Sequence, residues 1–378
     1  MIERKTDSSP RRKILFFAMT IFIFGFVPFF CLEIYLRIFK TNIDLDILTG
    51  KKIGENPMQE WACIDAYAAY TPKPGQYSEG KTVNSYHFIS TPEITKEKKP
   101  GTVRIVFLGG SSTAGTGTNL RDEDTWPWQT VEKLKKITGK KIDFINAAVG
   151  GYTSFESHGR LWNRVRFFSP DIVIMYHGWN EMYYFRGMNE IEKRYMLPDG
   201  SWSFGRALHP IKRWEPLWID SYIKWSQILT RIRKVCNKPI AGEVDGMDEE
   251  PMADSYNPAA IKVWKNNLKL IQEACGIMGA KFLCAKQATL VFPGISEADK
   301  ARCKVHFHRF DYQVHLRAFQ DIYSAIDEIV PQKNIIDCTS LSGKPEFFYD
   351  HIHQTPEGCK AIASIVAEKI YFGGAENK

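Results

Sequence analysis

Two hydrophobic regimes divide these 378 residues. Residues 14–32 carry no charge and are rich in Phe and Ile. About 20 such residues cross a bilayer, so this stretch predicts a membrane-spanning helix. Pro28 lies inside it and predicts a kink that membrane helices tolerate. From residue 103 onward, short β-branched runs alternate with amphipathic stretches. Residues 103–108, 142–147, 171–176, 282–285 and 335–337 predict strands, and DIVIMY at 171–176 reads as buried on both faces. Residues 128–137, 155–167, 311–329 and the stretch after Thr355-Pro356 predict helices. Another begins at Asn257-Pro258, a cap followed by proline at the first helical position. There Ile261, Trp264, Leu268, Ile271 and Cys275 recur at helical spacing. Strands alternating with helices imply βαβ units, and right-handed crossovers then favour a flavodoxin-like, three-layer, doubly wound parallel sheet.

The same pattern divides the chain. Residues 1–13 form a basic tail, 14–32 the span, 33–100 a polar, turn-rich stalk or approach, and 101–374 the α/β domain. The strand–helix rhythm breaks over 184–256, an aromatic-rich insert with Trp202, Trp214, Trp218 and Trp225, and Tyr195, Phe204 and Tyr222 nearby. A helix over 214–232 would place Trp218, Tyr222 or Trp225, and Leu229 near one face. Either these aromatics pack the insert onto the sheet, or some line the cleft as sugar-stacking platforms or a lid.

Charge sets the expected orientation. Arg4, Lys5, Arg11, Arg12 and Lys13 against Glu3 and Asp7 give the first 13 residues +3 of the chain's net +7. A basic flank before an apolar span keeps the N-terminus in the cytoplasm and sends the rest outward. Phe29, Phe30, Cys31 and Leu32 offer no small-residue cleavage site, which favours an uncleaved signal anchor over a removed signal peptide. The remaining excess is weak and holds no basic block, so no nucleic-acid partner is expected. Cys31 lies in the span. Cys63, Cys236, Cys275, Cys284, Cys303, Cys338 and Cys359 are dispersed with no C-x-x-C pair, which argues against zinc and leaves their pairing open. Glu243, Asp245, Asp248, Glu249, Glu250 and Asp254 lack the ordered spacing of a calcium loop and read as a solvated acidic stretch. His306 and His308 admit a metal site but read rather as exposed polar positions. No metal or organic cofactor is expected.

The candidate chemistry falls just past strand ends. Gly109-Gly110-Ser111 follows the first strand, residues 146–153 the second, and His177-Gly178-Trp179-Asn180-Glu181 the third; Asp350-His351-Ile352-His353 precedes the last helix. Open α/β sheets place ligands at that edge. A nucleophilic serine needs a base, and the base needs an orienting carboxylate. Asp350 and His353, three residues apart, suit that pairing; His351 is a rival base expected to stand outside the triad. The N–H groups of Ser111 and Gly151 and the amide of Asn180 are candidate donors to a developing oxyanion.

These four blocks, in order over about residues 103–371, resemble the SGNH hydrolases, the GDSL esterase and lipase superfamily. The resemblance implies Ser111 as nucleophile, His353 as base, Asp350 as triad acid, and Ser111, Gly151 and Asn180 as oxyanion hole. Gly110 stands where the family's GDS signature has aspartate, and Glu181 replaces the aspartate of the G-x-N-D block. With outward topology, the expected activity is hydrolysis of O-acetyl esters on envelope or exported carbohydrate by a membrane-anchored serine esterase facing the periplasm or cell exterior. A carbohydrate O-acyltransferase using the same triad, a lipid esterase, or a non-catalytic glycan-binding or assembly protein are the alternatives.

Overall fold

The computed structural model describes residues 10–40, 43, 45–48, 61–65, 67–77, 80–116, 118–185, 217–236 and 252–372. The first helix, α1, runs Pro10–Phe39 and is long and apolar enough to cross a membrane. Every side chain from 21 to 32 along it is exposed. A π-helical turn, Phe22–Phe26, ends two residues before Pro28. Proline cannot donate to the turn before it, and a π turn is one way a helix accommodates that gap.

Strands β1 (Ala62–Asp65), β2 (Ala69–Pro72), β3 (Gly75–Tyr77) and β4 (Lys81–Val83) make two antiparallel pairs, β1 with β2 and β3 with β4. The segment expected as a stalk is therefore partly folded. These strands are three or four residues long, too short for a periodic signal. Then come β5 (Thr102–Gly109), α2 (Trp126–Thr138), β6 (Lys141–Asn146), α3 (Ser154–Asn163) and β7 (Ile172–His177). Helix α4 (Gln227–Val235) lies in the insert, followed by α5 (Ala259–Ile277), β8 (Lys281–Lys286), α6 (Tyr312–Ile329), β9 (Ile335–Asp337) and α7 (Pro356–Phe372).

The chain divides into two compact units. One comprises residues 1–55 and 209–248; the other comprises 56–208 and 249–378. In the first, Glu33 near the end of α1 receives hydrogen bonds from Ser226 Oγ at 2.9 Å, Gln227 N–H at 2.8 Å and Ile228 N–H at 3.0 Å. The helix expected over 214–232 is broken: Asp220–Ile223 and α4 are separate, and Ser226 caps α4 by accepting from Leu229 N–H. Serine competes for backbone donors and so favours such starts. Tyr195, Trp202, Phe204, Trp214 and the acidic residues 243–250 lie outside the described residues.

The larger unit is built on a five-stranded parallel sheet in the order β6-β5-β7-β8-β9, the doubly wound arrangement. Central β5 and β7 bury Ile105, Val106, Phe107, Leu108, Val173, Ile174 and Met175 almost completely. Both faces are thus covered, which a near-continuous apolar strand requires. Helix ends are set locally. Pro127 lies in the first turn of α2 and Gly139, at φ +64°, stops it. Asp311 caps α6 through Val314 N–H at 2.7 Å. The predicted helix over 155–167 ends early, at Asn163, and continues as a 3₁₀ turn, Val165–Phe168.

All eight cysteines are free thiols. Cys275, Cys284, Cys303, Cys338 and Cys359 are buried. They act as small apolar core residues. Trp264 is fully buried on α5 and its indole N–H donates to Ile322 O at 3.2 Å. Trp264→Ala should therefore lose roughly 3–5 kcal/mol of unfolding free energy in urea titrations. A loss below about 1 kcal/mol would mean that this core is not packed as described.

Candidate active site

Parallel strands deliver their C-terminal ends to one edge, and Ser111 follows β5 there. Gly109 is required at that turn, and Gly110 leaves room for the Asn180 amide. A Cβ on Gly109 would lie 2.1 Å from Thr113 Oγ1, and one on Gly110 would lie 2.6 Å from Asn180 Nδ2 and 3.2 Å from Tyr152 O. The first would overlap Thr113, whereas the second would press on the movable end of the Asn180 amide and lie tight against the Tyr152 carbonyl.

His353 Nε2 lies 2.9 Å from Ser111 Oγ. On its other side His353 Nδ1 lies 2.9 Å from Asp350 Oδ2 and 3.1 Å from Oδ1. Asp350 Oδ1 also accepts from the N–H groups of Ile352 at 3.0 Å and His353 at 2.9 Å. The three-residue spacing closes this turn on itself, and Tyr349 N–H to His353 O at 2.7 Å seals it. The turn is pinned to the loop after β8, where Leu290 N–H and Thr289 Oγ1 both donate to His351 O, at 3.0 and 2.8 Å.

Electrostatics follow from this geometry. Burial alone would raise the Asp350 carboxyl. The hydrogen bond and charge of His353, the charge of His351 and the Ile352 N–H outweigh it, and the group is held well below the usual carboxylate range. His351 is buried against Trp179, ring centroids 3.9 Å apart, and burial pushes it down to about 3 despite the pull of Asp350. Its Nδ1 stands 3.6 Å from Asp350, beyond a hydrogen bond, so it remains outside the serine–histidine–aspartate chain.

The candidate oxyanion residues come from the next two turns. Thr153 and Glu156 form a capping box that starts α3 immediately after Gly151, whose φ is +82°. The neighbouring Gly150 passes beside Ser111: a Cβ there would sit 3.9 Å from Ser111 Cβ. Asn180 Nδ2 donates to Tyr152 O at 2.8 Å, tying the third turn to the second. A shallow depression lined by Gly110, Ser111, Gly178, Asn180 and Ile352 opens beside the serine.

Buried side chains from several elements hold these turns together. Gln287, one residue past β8, donates to Ser112 Oγ at 2.9 Å and accepts from Trp179 N–H at 2.7 Å. It joins the serine turn to the asparagine turn. Glu181 is fully buried and accepts from Ser154 N–H and Oγ, both at 2.7 Å. It joins the asparagine turn to the start of α3. Beside it His177 contacts Ser157 Oγ at 2.8 Å, and burial pushes the imidazole down to about 3. Tyr70 on β2 donates to Gly150 O, and Tyr152 donates to Tyr70 O. Gln287 had a positional signal, its place just beyond a strand, and His177 and Glu181 stood in the block after the third strand; Tyr70 had none. His308 corrects an expectation: it is buried, not exposed, because the 3₁₀ turn Val305–His308 folds it against Trp179 and His315. The His306 side chain lies outside the described residues.

No protein-family model and no curated protein matches the sequence. Solved structures do. A GDSL-like lipase from Bacteroides thetaiotaomicron aligns at 15% identity and TM-score 0.38, over 74% of this chain and 92% of that one. A lipase/acylhydrolase from Enterococcus faecalis aligns at 12% and 0.41, over 72% and 96%. An acetylxylan esterase from Geobacillus stearothermophilus aligns at 12% and 0.40, over 72% and 96%. At these values the likenesses carry no argument about activity.

The lowered Asp350 carboxyl has a consequence for stability. A depressed carboxylate stabilises the fold above its unfolded pKa of about 3.9, and that contribution is lost as pH falls through the folded value. The urea stability gap between wild type and Asp350→Asn should be full at pH 7 and shrink below about pH 4; a gap that grows on acidification would contradict the assignment. Sheet order and the sequence in which the chain brings Ser111, the Gly151 turn, Asn180 and the Asp350–His353 turn to one edge agree, and the sheet is the flavodoxin-like, doubly wound one that the SGNH resemblance implies.

Proposed function

We propose that this chain is a membrane-anchored serine esterase of the SGNH type. The observation that carries the reading is the unbroken line Ser111 Oγ, His353 Nε2, His353 Nδ1, Asp350 Oδ2, each contact 2.9 Å. Ser111 Oγ attacks an ester carbonyl while His353 Nε2 takes its proton. The N–H groups of Ser111 and Gly151 and the Asn180 amide stabilise the tetrahedral oxyanion. His353 then passes the proton to the leaving alcohol, and water, deprotonated by the same nitrogen, releases the acid from the acyl-enzyme. Asp350 holds the imidazole and stabilises its charged form.

O-acetyl groups on envelope or exported carbohydrate are the proposed substrate. An outward-facing anchor places the site among surface polymers. Helix α1 is the anchor, with its basic N-terminal flank in the cytoplasm and the α/β domain outside. Acetate release from acetylated sugars tests the substrate. Transfer of the acetyl group to an added sugar acceptor, in place of acetate release, would favour an acyltransferase.

A fluorophosphonate probe should label the wild type and fail on folded Ser111→Ala. His353→Ala should lose about a thousandfold or more in turnover of a small aryl acetate, whereas His351→Gln should keep most of it. Equal labelling of Ser111→Ala would move the nucleophile elsewhere, with Ser112 the first suspect. For topology, a C-terminal alkaline phosphatase fusion in a bacterial host should be active; an inactive fusion beside an active cytoplasmic reporter would reverse the orientation.

A further inference from the structure

Helix α4 has its polarity inside out. Its buried residues are Gln227, Thr230 and Arg233, one turn apart. Leu229, Ile232 and Val235 face outward, at 37%, 54% and 86% exposure. A helix in water shows the reverse. The buried polar groups have partners. Gln227 exchanges hydrogen bonds with Ile43 N–H and O, at 2.8 and 3.0 Å, Thr230 Oγ1 donates to Ser226 O at 2.7 Å, and Arg233 Nε donates to Asp220 Oδ1 at 2.9 Å. The turn leading into α4 adds Trp218, Tyr222 and Trp225, each at least 74% exposed.

The position of this face is fixed by α1. The Glu33 carboxylate holds the first turn of α4 through Ser226, Gln227 and Ile228, and Arg37 donates to the Trp225 carbonyl. Glu33 and Arg37 begin the charged end of α1, directly after the uncharged stretch that closes at Leu32. The inside-out helix therefore sits at the level where the apolar part of α1 stops.

We infer that residues 217–236 are a second, in-plane membrane anchor. Trp218, Tyr222, Trp225, Leu229, Ile232 and Val235 enter the headgroup and upper acyl layer of the bilayer that α1 crosses. Tryptophan and tyrosine favour that layer, and an amphipathic helix with aromatic and aliphatic residues on one face lies in it. The occupant is lipid because the spanning helix itself supplies the carboxylate that fixes α4. The described aromatics of the insert are then lipid contacts, neither a sugar platform nor a seal on the sheet. The inference rests on the reading of α1 as a membrane span.

The test uses the full chain in liposomes, with one environment-sensitive fluorophore per molecule on a cysteine. In a chain carrying Cys31→Ser, Cys63→Ser and Cys236→Ser, the label goes on Ile232→Cys or Val235→Cys. A second chain keeps Cys31 as the labelled site and carries Cys63→Ser and Cys236→Ser. Lipids bearing a nitroxide near the headgroup should quench labels at 232 and 235 by about half, and deeply labelled lipids should quench them less, as expected for a shallow in-plane helix. The label at Cys31 should be quenched by membrane nitroxides in either case. Quenching at Cys31 without quenching at 232 and 235 overturns the inference and leaves the span intact; a blue-shifted but unquenched label would identify a protein covering instead. No quenching at Cys31 overturns the span and the inference together.

Discussion

The hydrogen bond between His353 and Ser111 joins positions 242 apart in the chain. Everything in the larger unit serves to make that contact. Ser111 is fixed by β5, which pairs with β6 on one side and β7 on the other. His353 is fixed by a turn that closes through Asp350 and hangs from the loop after β8. Neither arm reaches the other without the sheet, because a parallel sheet alone brings the ends of successive strands to a common edge.

Around that contact the turns are joined by buried polar bridges. Gln287 spans the serine and asparagine turns, and Glu181 spans the asparagine turn and the start of α3. Asn267 extends the second bridge by donating to Ser154 Oγ at 2.9 Å. In a low-dielectric interior such networks are stable only when satisfied, and a missing member leaves its partners exposed to the full cost of desolvation. The serine turn, the asparagine turn and the start of α3 are thus tied together by these bridges.

The sheet, its strand alternation and its helices were legible from hydrophobic periodicity, since buried strands and amphipathic helices write themselves into local spacing. Ser111, His353 and Asp350 were legible because each follows or precedes an element in a fixed order. What was not legible has no local signature. Gln287, Tyr70 and Ser154 act by side-chain bridges between distant turns, which leave no period in the sequence. The short hairpins over 62–83 fall below the length at which alternation can be counted. The insert's described aromatics, Trp218, Tyr222 and Trp225, are exposed, and helical spacing alone does not say what faces them.

The contact between Glu33 and the start of α4 bears on how a soluble form would behave. Cutting the chain after residue 40 removes more than a tether. It deletes the carboxylate that receives the first two N–H groups of α4 and the guanidinium that holds Trp225, leaving an inside-out helix capped by Ser226 alone and with no lipid to cover its apolar side. Such a fragment would self-associate through Trp218, Tyr222, Ile232 and Val235 whether or not its hydrolase fold were intact. Poor behaviour of a truncated protein would then report on an orphaned interfacial helix, and deleting residues 217–236 together with α1 is the cleaner way to free the α/β domain.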